Sequence, residues 1–327
     1  MLKKSAYLES VFGNVEVKPV RDGYGEGLVE IGKRHKNVVV LTADLKESTR
    51  CHWFADEFPD RFIDVGVAEQ NMAAVAAGLG ISGKIPFISS YAVFSPGRNW
   101  EQIRTVVCYN DSNVKIAGHH AGLSTGPDGA THQALEDIAL MRTLPNMKVV
   151  VPADAVEARK ATEAAAEVWG PVYLRLTRPA TPVVTTGKTP FVLGRAELLW
   201  TSRKPVAAIF ACGRLVYDAL LAAEELDREG VRTLVYNSHT AKPIDEKAVC
   251  EAAERAGALV TVEEHSVIGG LGSAVSEVTA RKCQVPVQFV GTRDVFGESG
   301  EPNELLEKYG LDKEHIKEAV RQVIDKA

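Results

Sequence analysis

Short runs of β-branched and other apolar residues alternate along the chain with stretches rich in alanine and glutamate. In the first part of the chain, these patterns predict strands at 37–45, 61–67, 113–120, 147–154 and 171–178, and helices at 68–79, 97–110 and 155–168. The strand runs are apolar over nearly their full length, which is typical of a parallel sheet covered by helices on both faces. The sequence therefore predicts an α/β fold.

The alternation is interrupted at 179–194, a segment rich in Pro, Thr and Gly that has no helical period. We interpret this segment as a linker with some extended structure. The alternation then resumes with predicted strands at 205–213, 231–238, 257–265 and 285–291, and predicted helices at 214–229, 245–256, 271–282 and 313–326. The pattern thus predicts two doubly wound α/β domains, 1–190 and 195–327, and a length of 327 residues fits two domains.

Composition excludes several classes of function. A hydrophobic content of 45% and a charged content of 25% are ordinary for a water-soluble globular protein, and a net charge of −5 gives no indication of binding to nucleic acid or to an anionic membrane. No run approaches the roughly 18 apolar residues of a membrane span. The opening residues carry two lysines without the apolar run of a signal peptide. We therefore expect a cytoplasmic protein.

The cysteines lead to the same expectation. There are five, an odd number, spaced far apart and without a Cys-x-x-Cys pair. This pattern favours reduced thiols over a disulfide framework or a zinc site. The thiols expected to be reduced are those of Cys51, Cys108, Cys212, Cys250 and Cys283.

Polar side chains follow the ends of the predicted strands in the first domain. They are Asp44, Glu69, His119, His120 and Arg178. Because ligands of open α/β sheets bind beyond the carboxyl ends of the strands, we expect these residues to lie along one edge of one sheet, at a ligand site.

A loop rich in Gly, Ser and Thr at 123–133 supplies two further candidates, Asp128 and His132. Small residues of this kind allow the backbone to approach a ligand closely. The loop is therefore predicted to belong to the same site.

Four segments together resemble transketolase: "VLTADLKEST" (40–49), "VGVAEQNM" (65–72), "SSYAVFSPGRNWEQIR" (89–104) and "GPDGATHQALEDIALMRTLPNMKVVVPAD" (126–154). The resemblance covers nearly the whole chain and is to the pyrimidine-binding domain followed by the C-terminal domain of that family. It implies a thiamine diphosphate pyrimidine-binding domain at 1–190 and a transketolase C-terminal domain at 195–327.

One family motif is missing. Enzymes of this kind hold the diphosphate through Mg²⁺ on a separate domain with a Gly-Asp-Gly motif, and this chain contains no such motif. The resemblance therefore implies the C-terminal subunit of a split transketolase, with thiamine diphosphate as cofactor and the Mg²⁺ ligands on an N-terminal partner subunit. It also implies an α2β2 heterotetramer with two sites, or a homodimer when this chain is alone.

The resemblance assigns Glu69 to the cofactor. In the family, a glutamate hydrogen-bonds N1′ of the aminopyrimidine and favours the imino tautomer, whose 4′-nitrogen takes the proton from C2 of the thiazolium. The alternative is that a glutamate in a first helical turn only favours the helix dipole. Tyr91 and Phe94 would form the aromatic wall of the pyrimidine pocket, although aromatics at this spacing also pack cores. The family has a further aromatic where this chain has Gly97.

The remaining assignments concern the cofactor's surroundings and the substrate. His132 resembles the histidine that contacts the donor oxygen and assists proton transfer, and Asp128 would accept a hydrogen bond from a sugar hydroxyl, unless it forms a plain Asp-Gly turn. One of His119 and His120 should contact substrate, with His120 preferred. Asp44 corresponds to an acid near the cofactor and the subunit contact. The alternative is a plain loop or helix-capping residue.

Arg21, Ser48 and Arg178 fall where the family binds the phosphate of a sugar phosphate. Arginine gives bidentate, charge-assisted bonds to such groups. The alternative for each arginine is a solvated surface charge. In the second domain, a Gly-rich turn within 263–277 either holds an anion at a helix N-terminus or allows tight packing of strand and helix. The sequence assigns no function to Glu263 or His265.

The activity that follows is transfer of a two-carbon ketol unit from a ketose phosphate to an aldose phosphate. A second possibility is a related thiamine enzyme, namely the β-subunit of a 2-oxoacid dehydrogenase or a deoxyxylulose-phosphate synthase. The first has a similar glutamate but lacks the "THQ" loop, and the second carries its own Gly-Asp-Gly domain. A third is a degenerate scaffolding paralogue without activity, against which the presence of Glu69, Asp128 and His132 argues.

Overall fold

The computed structural model describes residues 1–8 and 11–326. The elements up to residue 182 are β1 (Val17–Pro19), α1 (Val20–Arg34), β2 (Val38–Thr42), α2 (His52–Glu57), β3 (Phe62–Asp64), α3 (Glu69–Ile81), β4 (Ile85–Tyr91), α4 (Trp100–Gln102), β5 (Lys115–His119), α5 (Asp137–Arg142), β6 (Lys148–Val150), α6 (Ala155–Glu167), β7 (Val172–Arg175) and β8 (Ala180–Pro182). Helix α4 continues into a π-helical segment at Ile103–Cys108.

The later elements are β9 (Glu197–Trp200), β10 (Ala207–Ala211), α7 (Leu215–Arg228), β11 (Thr233–Asn237), β12 (Thr240–Lys242), α8 (Glu246–Ala256), β13 (Leu259–Ser266), α9 (Leu271–Lys282), β14 (Val287–Thr292), α10 (Pro302–Lys308) and α11 (Lys313–Ile324).

A seven-stranded sheet forms the first half of the molecule, in the order β12-β6-β7-β5-β4-β2-β3. All neighbours are parallel except β12, which pairs antiparallel with β6. Both faces are buried: Val38 and Val40 pack in one cluster with α1 and α6, whereas Val39 and Leu41 pack in another with α3. Burial on both faces explains why the strands read as continuous apolar runs.

A five-stranded sheet forms the second half, in the order β14-β13-β10-β11-β9, with only β9 antiparallel among these strands. On β10, Ile209 faces one apolar cluster and Phe210 faces another that continues across to the first sheet. The predicted fold class, two helix-covered α/β sheets, is confirmed. The predicted division at 190–195 stays a prediction, and β12 shows that the first sheet takes one strand from the second half.

Two elements near the site did not stand out from the sequence. Helix α1 carries several glycines, a composition unfavourable to helices. At Gly23, an added Cβ would lie 1.8 Å from the carbonyl oxygen of Ala155, so the close packing of α1 on α6 requires glycine there. Strand β4, which leads to Tyr91, begins with a proline-containing run and was also missed.

The expectation of reduced thiols was wrong for one pair. Cys250 in α8 and Cys283 just after α9 form a disulfide, with a Cα–Cα distance of 5.5 Å. Spacing along the chain could not reveal this pair, because 33 residues separate the cysteines and packing of α8 on α9 joins them. Cys51, Cys108 and Cys212 are free and buried. Within the described residues, no helix combines the length and apolar character needed to cross a bilayer.

Candidate functional site

The carboxyl ends of five neighbouring parallel strands define the site. Asp44 follows β2, Glu69 follows β3, Tyr91 ends β4 and His119 ends β5, while Arg178 lies beyond β7. This common edge is the placement that the strand pattern predicts.

Glu69 is the first residue of α3 and is only 1% exposed. Its Oε2 accepts a hydrogen bond from Nη1 of Arg98 at 2.7 Å. The Arg98 guanidinium also lies over the ring of Phe94, with Cζ 4.6 Å from the ring centre. Asn99 holds the start of the helix by donating to the Glu69 carbonyl at 3.0 Å. A planar cation therefore contacts both a buried carboxylate and an aromatic ring.

Four rings form one cluster at this edge of the sheet. Tyr91 and Phe94 stack with centres 6.0 Å apart, and the ring of His120 lies 4.0 Å from that of Tyr91. His132 meets both aromatic rings edge-on, 5.5 Å from Phe94 and 6.1 Å from Tyr91. The structure thus brings His132, from the loop after β5, against the aromatic residues that follow β4.

The absence of a third aromatic at Gly97 has a local cause. An added Cβ at this position would lie 2.1 Å from the carbonyl oxygen of Val93, inside the turn that carries Phe94. A side chain at 97 would force the turn apart. The edge of the pocket is instead formed by Arg98.

Positive charge collects on one side of the pocket. Arg21 donates from Nη1 to Nε2 of His120 at 3.1 Å and to the Ser48 carbonyl at 3.0 Å. Burial, followed by the charges of Arg50 and Arg178, lowers the pKa of Arg21. Burial and the Arg21 charge also lower the pKa of His120 to about 3, so this imidazole is neutral at ordinary pH. Three arginines within mutual electrostatic range suit an anionic group of a ligand.

Arg178 and Asp128 form an ion pair at 3.3 Å, and Arg178 also donates to the Thr125 carbonyl at 2.8 Å. Both charged side chains remain about one-third exposed. They border the pocket and can turn toward a ligand, because exposed pairs of this kind contribute only about 0–1 kcal/mol.

Two predicted residues make their contacts with other parts of the fold. His119 is fully buried against the ring of Tyr24, at 5.0 Å between centres, and its position favours His120 as the histidine that faces a ligand. Asp44 is exposed, and its backbone N–H donates to Asp64 at 3.0 Å. Ser48 contributes its carbonyl oxygen to Arg21.

Several buried polar atoms at the site have no hydrogen-bond partner among the described residues. They are Arg21 Nε, His120 Nδ1 and both ring nitrogens of His119. Unsatisfied buried polar atoms are rare in folded proteins, so a water molecule or a ligand is expected to bind these atoms.

Sequence reasoning missed Arg98, Asn99 and Arg50. Arg98 lies 29 residues beyond Glu69, and only the fold brings the two together. The sequence offered one indication of a role for Arg98, namely its position directly after the turn that carries Phe94. Arg50 pairs with Asp22 of α1 at 2.6 Å, and α1 was not predicted.

The Gly-rich turn of the second domain serves packing. Glu263 accepts hydrogen bonds from the backbone N–H groups of Leu271 and Gly272, at 2.6 and 2.7 Å. An added Cβ at Gly270 would lie 2.0 Å from the same carboxylate. The negative group at the start of α9 is therefore the protein's own side chain.

The pocket fits the pyrimidine end of thiamine diphosphate. The Arg98 guanidinium is a planar N–H donor that stacks on Phe94 and donates to Glu69, and these are the two contacts that an aminopyrimidine ring would make there. The fit does not extend to a metal: within residues 1–8 and 11–326, no cluster of three His, Cys, Asp or Glu side chains could hold an ion.

Comparison with known proteins matches most of the chain to one family. Residues 17–183 match the family model "Transketolase, pyrimidine binding domain", and residues 194–316 match "Transketolase, C-terminal domain". The chain is 44% identical to the "Putative transketolase C-terminal section" of Methanocaldococcus jannaschii, covering 94% of this chain and 97% of that protein. It is 42% identical to a 6-deoxy-6-sulfo-D-fructose transketolase subunit of Clostridium sp., covering 94% and 95%.

Among solved structures, a split gene transketolase described as an inactive β4 tetramer superposes with a TM-score of 0.87. It is 48% identical to this chain, and the match covers 94% of this chain and 98% of that one.

Proposed function

Because the chain belongs to the transketolase family, we propose that it is the C-terminal subunit of a split transketolase and acts only with an N-terminal subunit. The complex transfers a two-carbon ketol unit from a ketose phosphate to an aldose phosphate. The relatives that match over nearly their full length are themselves transketolase sections or subunits, which supports a divided enzyme.

The observation that carries the proposal is the buried Glu69 carboxylate, which Arg98 links to the Phe94 ring. A carboxylate in this position can hold a ring N–H and keep the aminopyrimidine in one orientation. Thiamine diphosphate, when bound, supplies the carbanion chemistry of ketol transfer. Glu69 fixes and polarises the pyrimidine, and Tyr91 and Phe94 exclude water from one side of it.

The residues around His132 would handle the substrate. His132 lies against Phe94 and Tyr91, so its imidazole can exchange a proton with a donor oxygen at the mouth of the pocket. Nε2 of neutral His120 accepts a hydrogen bond from Arg21, so its Nδ1–H can donate to a sugar hydroxyl, and Asp128 can accept another hydrogen bond.

Arg21 and Arg178 would bind the anionic end of the sugar. Burial lowers the pKa of Arg21, and the charges of Arg50 and Arg178 lower it further, which supports a shared region of positive charge. A phosphate suits these groups, and the name of the Clostridium relative makes a sulfonated sugar the second donor to test.

The exposed face of α3 is the proposed contact with the N-terminal subunit. The exposed residues of this helix include Ala74, Val75, Gly78 and Ile81, and Ile81 is 68% exposed. Val67, in the turn that precedes Glu69, is 71% exposed. This apolar face adjoins the Glu69 pocket, which is where a subunit bringing the diphosphate and Mg²⁺ must dock. We propose an α2β2 assembly with two such sites.

The test is ketol transfer from xylulose 5-phosphate to ribose 5-phosphate with Mg²⁺ and thiamine diphosphate. We expect no transfer by this chain alone and transfer when the matching N-terminal subunit is added. Transfer by the isolated chain, or none with any sugar donor in a complex verified by light scattering, would contradict the proposal; pyruvate as the sole accepted donor would favour a 2-oxoacid enzyme.

Replacing Arg98 by alanine should strengthen cofactor binding. Arg98 holds Glu69 and covers Phe94, so the aminopyrimidine has to displace it. A charge-assisted hydrogen bond contributes about 1.5–3 kcal/mol, so its removal should lower the Kd for thiamine diphosphate by about 10- to 100-fold. Calorimetric titration of the complex measures this change.

The matched control is Arg104→Ala, an exposed arginine on the adjoining π-helical segment. It should leave the Kd unchanged. Weaker cofactor binding by Arg98→Ala than by the control would mean that Arg98 supports the bound cofactor rather than competing with it.

A further inference from the structure

The loop that carries Asp128 and His132 is held by the second half of the chain. At its start, the backbone N–H of Ser124 donates to the Glu264 carboxylate at 2.5 Å. At its end, the backbone N–H of Ser266 donates to the Leu135 carbonyl at 2.8 Å. Both partners lie on β13, so one strand of the second sheet fixes the two ends of the loop.

Gln133, the last residue of the loop 123–133, connects it to another segment of the second half of the chain. Its side-chain nitrogen lies within hydrogen-bond distance of three carbonyl oxygens: Leu123 at 3.1 Å, Gly126 at 3.2 Å and Glu298 at 2.9 Å. Only 4% of Gln133 is exposed, so solvent cannot replace these partners. One amide therefore joins both arms of the loop to the segment 294–300.

The segment 294–300 packs closely against the loop. An added Cβ at Gly297 would lie 2.0 Å from Oε1 of Gln133, and one at Gly129 would lie 2.6 Å from Oγ of Ser299. Glycine at both positions lets the two backbones pack against each other. Gly129 stands between Asp128 and His132, so this contact acts directly on the part of the loop that bears them.

We propose that the second half of the chain sets the position of Asp128 and His132. Gln133 is the positioning residue that connects this half to the loop. This inference rests on the proposed function for the roles of the two side chains. It gives the second half of the chain a part in positioning the residues that would contact the substrate.

The test compares Gln133→Leu with Gln288→Leu in the assembled complex. Leucine keeps the bulk of Gln133 but removes its hydrogen-bond donors. Gln288 is the control, because its side-chain amide donates to Gln322 at the surface and not to the loop. Because misplacement by about 1 Å can cost 10²-fold, we expect kcat/KM for the ketose phosphate to fall about 10- to 100-fold in Gln133→Leu only. Affinity for thiamine diphosphate, which depends on Glu69 and the aromatic wall, should stay unchanged.

Hydrogen exchange by mass spectrometry on the isolated chain supplies a measurement that is independent of activity. Gln133→Leu should speed exchange of the backbone amides in 123–132 while α3 and β4 stay as protected as in the wild type. Gly297→Ala, which pushes on the same amide, should give the same local change. An inactive wild-type complex would overturn the proposed function, and the exchange data would still decide whether Gln133 holds the loop.

Two results would overturn the inference. One is wild-type kcat/KM and wild-type exchange in both loop variants. The other is a parallel loss of donor turnover, cofactor affinity and protection throughout the chain, which would show a general structural role.

Discussion

Glu69→Gln should lower ketol transfer by the assembled enzyme by about 10²- to 10⁴-fold, the range typical of a lost general acid–base group. The glutamine fills the same volume, so the start of α3 and the contact of Asn99 with the backbone of residue 69 should remain. What it removes is the carboxylate that would hold and polarise the aminopyrimidine. Single-turnover transfer measured at saturating cofactor separates this effect from a loss of binding.

The control for this variant is Glu101→Gln, an exposed glutamate on α4. It should retain wild-type activity. If Glu69→Gln also kept more than a tenth of the wild-type rate, the carboxylate would serve only the start of α3, the alternative that its position in the first helical turn allows.

Asp137→Ala should lower the free energy of unfolding by about 3–5 kcal/mol, because it leaves the buried Arg175 charge without its hydrogen-bonded carboxylate. Arg175 and Asp137 are 2% and 1% exposed, and Nε of Arg175 lies 2.8 and 3.1 Å from the two carboxylate oxygens. Tyr173 donates to the same carboxylate at 2.7 Å. Burial lowers the pKa of Arg175, but the Asp137 charge and that of Glu264 outweigh it, so the net shift is upward. Urea unfolding followed by circular dichroism measures the loss.

Two further variants test the cause. Glu163→Ala removes the exposed partner of Arg34 and should cost only about 0–1 kcal/mol. The double variant Asp137→Leu with Arg175→Met, which removes both charges, should recover most of the stability lost in Asp137→Ala. A double variant no more stable than the single one would show that the hydrogen bonds of Arg175 to the Ala134 and Glu264 carbonyls matter more than the charge.

The sequence predicted the common edge of the site because strand ends can be read from local patterns. Continuous apolar runs located β2, β3, β5 and β7, and the rule that ligands bind beyond their carboxyl ends brought Glu69 and His120 into one region. The chemistry of single residues needed the family resemblance, since a glutamate or a histidine at a strand end has structural roles as well.

What escaped prediction depends on contacts between distant parts of the chain. Arg98 meets Glu69, and Gln133 meets Glu298, only after the sheet and the two halves have packed. Helix α1 was not predicted, because glycine is unfavourable to helices. Some of its glycines are instead required by close packing against helix α6. The disulfide between Cys250 and Cys283 likewise depends on how α8 and α9 pack.

Strand β12 affects the order in which the chain can complete its fold during synthesis. Thr240 and Lys242 pair with Val150 and Val149 of β6, so they cover an edge formed some ninety residues earlier. Until Lys242 has left the ribosome, the nascent chain carries an open sheet edge that can pair with other chains. The two halves are therefore not interchangeable modules, because exchanging the second half for that of another protein would also remove a strand from the first.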